Sequence, residues 1–298
     1  MTLDFEDIFK CKDITPSTLK LYETKLRLLN DNKPIKNVNY LYDINNIKSK
    51  IEDFKPNTRR SYIISIVSIL KCLTMPDKKP IKKLIKLFND YSKIMDEYNI
   101  NLKDQTTITE GTQVLTPEEI ENVYKEVKEK ALNKKSSKQQ QQDYLILSLY
   151  TLTPPRRNKD YIYMKVIKNY NDELSYEYNY YDGSKFYFNN YKTNKKYKQQ
   201  IVDVPNELQT IINNYIKDQK INDNDFLLTN GNNEDLTTHT NIMTNILNRI
   251  FKSKVGSSML RRSFLTNKYG NTKNELNNDT IAMGTSLGTA NSNYIKKT

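Results

Sequence analysis

Four stretches of this 298-residue chain carry side chains that could act together on a phosphorus centre. They are Arg157-Asn158-Lys159-Asp160, Lys192-Thr193-Asn194-Lys195, Ser258-Met259-Leu260-Arg261-Arg262-Ser263-Phe264, and Gly284-Thr285 followed by Tyr294. A guanidinium is a rigid planar fork of donors, so Arg157 and Arg261 could hold the two non-bridging oxygens of a phosphodiester as negative charge builds there. Lys192 is a mobile, titratable cation suited to protonating a departing oxygen. Tyr294 could attack as phenolate. With an unperturbed pKa near ~10, about one part in ~1000 is ionised at pH 7, a shortfall of about 4 kcal/mol that proximity and cationic neighbours can offset. Ser258 and Thr285 can donate and accept hydrogen bonds, but neither hydroxyl is a useful base near pH 7. Asp160 could fix the Arg157 fork from behind.

The elements that must position these residues fall into two groups. In the first, Thr15-Pro16-Ser17-Thr18 opens a helix with a hydroxyl cap and a proline in its first turn, and Leu19, Tyr22, Leu26 and Leu29 give it one apolar face. Further helical runs cover about 44–54, a stretch opened by Pro56-Asn57-Thr58, and about 81–98. Four amphipathic helices with basic exposed faces predict a small bundle over residues 1–98, in which Arg59 and Arg60 are candidate contacts to a polyanion. Residues 99–114 lack periodicity and predict a linker.

The second group, 115–298, opens with the capping box Thr116-Pro117-Glu118-Glu119. Its helix fades into a lysine- and glutamine-rich stretch that predicts a solvated loop, and residues 143–152 predict a buried helix ending at Pro154-Pro155. The runs 161–167, 174–180, 185–191 and 200–204 are β-branched and aromatic, with Asp182-Gly183 between the second and third, and predict a small antiparallel sheet. Helices near 206–217, 237–251 and 257–269 follow. The fold class is therefore α+β: a mainly helical chain of two domains, the second a mixed α/β unit.

Composition narrows the chemistry. Forty-seven Lys and Arg against 35 Asp and Glu leave a net charge of +12, which favours a polyanionic partner because each cation placed on a phosphate releases a counterion. A single histidine, His239, leaves little material for a histidine metal centre or a Ser-His-Asp triad. Cys11 and Cys72 are too few for a disulfide framework and too far apart for a zinc site. No apolar run approaches the ~20 residues of a membrane span. These observations predict an intracellular, reduced protein with no metal, cofactor or membrane partner.

The order Arg157, Lys192, Ser258-x-x-Arg261, Thr285, Tyr294 resembles the signature of the tyrosine recombinase (phage integrase) family: Arg, a hairpin Lys, His-x-x-Arg, His or Trp, then Tyr. The match covers about 115–298, and Thr18-x-x-x-Tyr22-x-x-x-Leu26 is similar to that family's SAM-like core-binding domain. The wording Pro154-Pro155-Arg156-Arg157 is similar to integrases of large DNA viruses and virophages. Arg156 is the register alternative to Arg157, which has Asp160 at the family's offset, and Lys195 is the alternative to Lys192. Both, with Arg59 and Arg60, are candidate DNA contacts. The chain departs from the pattern at Ser258 and Thr285, where histidine or tryptophan is usual, and at Arg262, commonly histidine. The resemblance implies a two-domain clamp on double-stranded DNA, a 3′-phosphotyrosyl intermediate without metal, and a homo-tetramer on paired sites. A type IB topoisomerase and a DNA-binding relative that has lost catalysis are the alternatives the residues leave open.

Overall fold

A computed structural model describes residues 3–74, 82–107, 114–238 and 241–282. The chain divides into two compact units, Met1–Thr112 and Gln113–Thr298.

In the first unit α1 (Phe5–Phe9) precedes α2 (Pro16–Leu29), which Thr15 caps by accepting from the Thr18 amide. A 3-10 turn over Asn39–Tyr42 leads to α3 (Ile44–Ile51), α4 (Pro56–Leu73) and α5 (Lys82–Thr107). The core is a set of wholly buried aliphatic side chains, among them Leu26, Leu41, Ile47, Ile63, Ile66 and Leu70, each contributing roughly 2 kcal/mol on burial. Tyr91 of α5 is also buried and donates its hydroxyl to the Leu41 carbonyl at 2.8 Å, so the 3-10 turn is locked onto the longest helix of this unit.

Two expectations change here. Helix α5 runs nine residues beyond Tyr98, so the first part of the stretch expected as a linker is helical. Asn and Thr lower helix propensity without breaking a helix that is already nucleated. Cys11 and Cys72, expected as reduced thiols, are joined as a disulfide with Cα atoms 5.7 Å apart, because α1 folds back onto α4.

In the second unit α6 (Pro117–Leu132) starts with the complete capping box of Thr116 and Glu119. Helix α7 (Lys138–Thr151) begins at a second capping box, Ser137 with Gln140, so the glutamine run expected as a solvated loop forms its first turn. Glutamine is a good helix former, and Gln142 is buried, accepting from the Tyr215 hydroxyl at 2.9 Å. Helix α7 is the centre of this unit: Leu145, Ile146, Leu147 and Leu149 are fully buried beneath α6, α10 (Asn206–Gln219) and α11 (Ile242–Phe251).

The sheet follows α8 (Asn158–Ile162), which takes up two residues expected in a strand. Its strands are β1 (Met164–Val166), β2 (Asn179–Tyr181), β3 (Lys185–Phe188) and β4 (Gln200–Asp203), in that order. It is mixed rather than antiparallel. Strands β1 and β2 run parallel with Met164 opposite Asn179, because the connection 167–178 carries the chain back to the starting edge. The β2–β3 turn places Gly183 at φ +97°, a backbone conformation only glycine adopts without strain, and Asp182 accepts from the amides of Ser184 and Lys185. A short helix, α9 (Asn194–Tyr197), lies between β3 and β4. The last described element, α12 (Ser257–Ala282), extends well past the end expected at Tyr269. No described helix is long and apolar enough to cross a membrane.

Candidate active site

Where α7 ends, Pro154 and Pro155 forbid a further helical turn, and the chain passes through extended backbone at Arg157 (φ −79°, ψ 154°) before α8 begins. Asp160, one turn into α8, is 2% exposed. Its partner is Arg156: Nε donates to Asp160 Oδ2 at 2.8 Å. Arg156 Nη1 donates to Gln200 Oε1 at 3.0 Å, and its guanidinium carbon stands 3.7 Å from the centroid of Phe188 and 5.3 Å from that of Tyr191. The fork that Asp160 fixes is thus that of Arg156, not Arg157. Adjacent residues of an extended segment project to opposite sides, so one carboxylate serves only one of the pair. The Arg157 guanidinium has no hydrogen-bond or ion-pair partner among the described residues.

Arg261, in the second turn of α12, completes the cluster. Burial draws its pKa down, and the positive charges of Arg157 and Arg156 push it the same way while Asp160 opposes them. Asp160 is the mirror case. Burial raises its pKa against the pull of Arg156, Arg157 and Arg261, and its Oδ1 has no hydrogen-bond partner among the described residues. One guanidinium in contact with a buried carboxylate and two more acting on it electrostatically leave an excess of positive charge in a partly desolvated place, which is an environment that favours an anion.

Packing fixes this arrangement. Asn158, first residue of α8, accepts from the Tyr150 hydroxyl at 2.8 Å and donates to Thr244 of α11 at 3.1 Å, so α7, α8 and α11 are tied together beside Arg157. Helix α12 is held by buried Leu260 and by Ser263, whose hydroxyl accepts from the Leu115 amide at 2.9 Å, while Asn267 donates to the Leu115 carbonyl at 3.0 Å.

The remaining candidates divide. Ser258 is exposed in the first turn of α12, three residues before Arg261 and therefore on a neighbouring part of the same face, whereas Arg262 is exposed on the next. Lys192 is exposed and directly follows buried Tyr191, the ring that faces Arg156. Lys195 is exposed in α9. Arg59 and Arg60 of α4 are half-buried in the first unit, where Arg59 donates to the Phe54 carbonyl at 2.7 Å and Arg60 to the Asn99 side chain. Thr285, Tyr294 and His239 lie outside the described residues. Among the described residues no group of His, Cys, Asp and Glu comes together that could hold a metal ion.

Sequence reasoning missed Phe188 and Gln200, which seat Arg156. The signal was available. Alternation along Lys185-Phe186-Tyr187-Phe188 places both phenylalanines on one face, and the β3–β4 register sets Phe188 opposite Gln200.

No protein-family model matches this chain, and neither does any curated protein sequence. Among solved structures, XerA recombinase aligns with a TM-score of 0.36 at 15% identity, over 88% of this chain and 80% of that one.

Proposed function

We propose that this protein is a tyrosine-type site-specific DNA recombinase, or integrase, that cuts and rejoins double-stranded DNA through a 3′-phosphotyrosyl intermediate. The observation that carries this reading is the 2.8 Å pairing of Arg156 with buried Asp160, with Arg157 beside it and Arg261, about a hundred residues later in sequence, near enough to act on the same carboxylate. Arg157 and Arg261 hold the non-bridging oxygens of the scissile phosphate, with Arg156 committed to Asp160 and the sheet. Tyr294 attacks phosphorus, Lys192 protonates the departing 5′ oxygen, and Ser258 and Thr285 donate further hydrogen bonds to the phosphate. A tetramer on paired sites then exchanges strands.

A pool of nicked duplexes tiling the DNA beside the protein's own gene tests the reading. The expected result is a covalent protein–DNA adduct that resists denaturation and is lost in Tyr294→Phe. No adduct from the wild type on any duplex refutes the proposal, and relaxation of supercoils without exchange between sites replaces it with a topoisomerase.

A further inference from the structure

Asn179, the first residue of β2, is fully buried and uses all its hydrogen-bonding capacity on two segments of the site. Its Nδ2 donates to the Asp160 carbonyl at 2.8 Å and to the Asn190 carbonyl at 3.1 Å. Its Oδ1 accepts from the amides of Asn189 and Asn190, each at 2.8 Å. One side chain therefore joins the backbone of α8, where Asp160 sits among the arginines, to the backbone two residues before Lys192. The same loop is braced from its far side. Asn194 donates to the Asn189 carbonyl at 2.9 Å, Gln199 donates to Asn189 Oδ1 at 2.7 Å, and the Tyr191 hydroxyl donates to the Lys198 carbonyl at 2.6 Å. A core asparagine among Met164, Tyr180 and Tyr181 costs desolvation that an apolar residue would avoid. Its full set of bonds offsets that cost only in this one arrangement of the two segments.

We propose that Asn179 is a positioning residue that sets the Lys192 loop against the arginine cluster, so that the lysine amine reaches the leaving oxygen. This rests on the recombinase reading above. In the step concerned, the Tyr294 phenolate oxygen, its proton already given up to solvent, bonds to phosphorus as the P–O5′ bond breaks. The electron pair stays on O5′, and the proton it takes comes from Lys192 Nζ. Asn179 touches none of these atoms and acts through the loop.

The test uses the duplex that wild type cleaves, made once with the ordinary 5′ oxygen and once with sulfur at the bridging 5′ position. A thiol has a pKa near ~8.5, so a thiolate departs without needing the lysine proton. Asn179→Asp keeps the shape and the two acceptor bonds but loses both donors. It should slow cleavage of the oxygen duplex by roughly 100-fold, the effect of a misplacement of about 1 Å, and restore the sulfur duplex to within about threefold of wild type, as Lys192→Ala should. Equal loss on both duplexes, or unchanged rates on both, overturns the inference. Should Asn179→Asp not fold, Asn179→Ser, whose hydroxyl supplies at most part of the four bonds, is read in the same way. Failure of the wild type on every duplex is a different result and removes the recombinase reading itself, and this inference with it. Cleavage by wild type together with sulfur rescue of Lys192→Ala but not of the Asn179 variants leaves that reading standing and removes only the inference.

Discussion

Arg156 and Arg157 are neighbours in sequence with opposite duties, and alanine at each should separate them by stability. Arg156→Ala strands the Asp160 carboxylate, which is 2% exposed. Removing one partner of a buried ion pair costs about 3–5 kcal/mol. Arg157 and Arg261 still act on Asp160, and the Arg156 side chain is 21% exposed so that water can enter, which points to the lower end, about 3 kcal/mol. Loss of the guanidinium over Phe188 adds about 1 kcal/mol. For a unit of this length about 4 kcal/mol corresponds to a melting-temperature drop of roughly 8–16 °C. Arg157→Ala removes a guanidinium that has no hydrogen-bond or ion-pair partner among the described residues and that repels Arg261, so its melting temperature should stay within about 2 °C of wild type. Thermal unfolding of the second unit, followed by circular dichroism at neutral pH, measures both. The pH dependence has a definite sign. Asp160 has a raised folded-state pKa, so its contribution favours the folded state below the unfolded carboxylate value and is lost as pH rises through the folded value. Without Arg156 that folded value rises further. The Arg156→Ala penalty should therefore shrink as pH falls from 7 toward the ordinary carboxylate range. Equal melting temperatures for the two variants would refute the division of labour drawn here.

Three further outcomes are expected. If ~6–8 phosphates are contacted, log K for a duplex should fall with log salt at a slope of roughly −5 to −7, and a flat response in a fluorescence-anisotropy titration would exclude nucleic acid as the main partner. Reduction of Cys11–Cys72, which spans 61 residues, should destabilise the first unit by up to about 4 kcal/mol, read as a shift in its unfolding midpoint between oxidised and reduced protein. Gln142→Leu leaves the Tyr215 hydroxyl without its acceptor in the core and removes the acceptor of the long bond from the Thr229 amide, so urea unfolding should show a loss of about 1–3 kcal/mol.

Much of the helical architecture was legible because it rests on local signals: Thr15, Thr116 and Pro56 open helices, and their apolar faces repeat at helical spacing. What was misread depended on partners distant in sequence. The glutamine run reads as a loop until Tyr215 and Thr229 supply partners for Gln142. The direction of β1 against β2 depends on where the connection 167–178 returns the chain, which no strand pattern encodes. The disulfide depends on α1 packing against α4, which brings Cys11 to Cys72, sixty-one residues downstream. At the site, the partner of Asp160 was not legible: its spacing pointed to Arg157, and the contact goes to Arg156.

That last misreading bears on what the arginine cluster can bind. A carboxylate spaced three residues from an arginine invites the reading that it holds that arginine, but Asp160 belongs to the arginine that stacks on the sheet. The consequence is a division within one tripeptide: Arg156 anchors the segment to β3 and β4 through Phe188 and Gln200, while Arg157 keeps its donors open. Arg157 and Arg261 repel each other, and the single buried carboxylate does not cancel that repulsion. An anion placed between them would relieve it. The stabilisation grows as the anion gains charge, and a phosphodiester gains charge on the way to a pentacoordinate phosphorane-like transition state. Ser258 and Thr285 can add hydrogen bonds to such a state but no proton transfer at neutral pH. Under the recombinase proposal, the arginines and Lys192 must then carry the charge and the proton between them, and the spacing between the Lys192 loop and the arginine cluster, which Asn179 bridges, becomes the quantity on which the rate would depend most steeply.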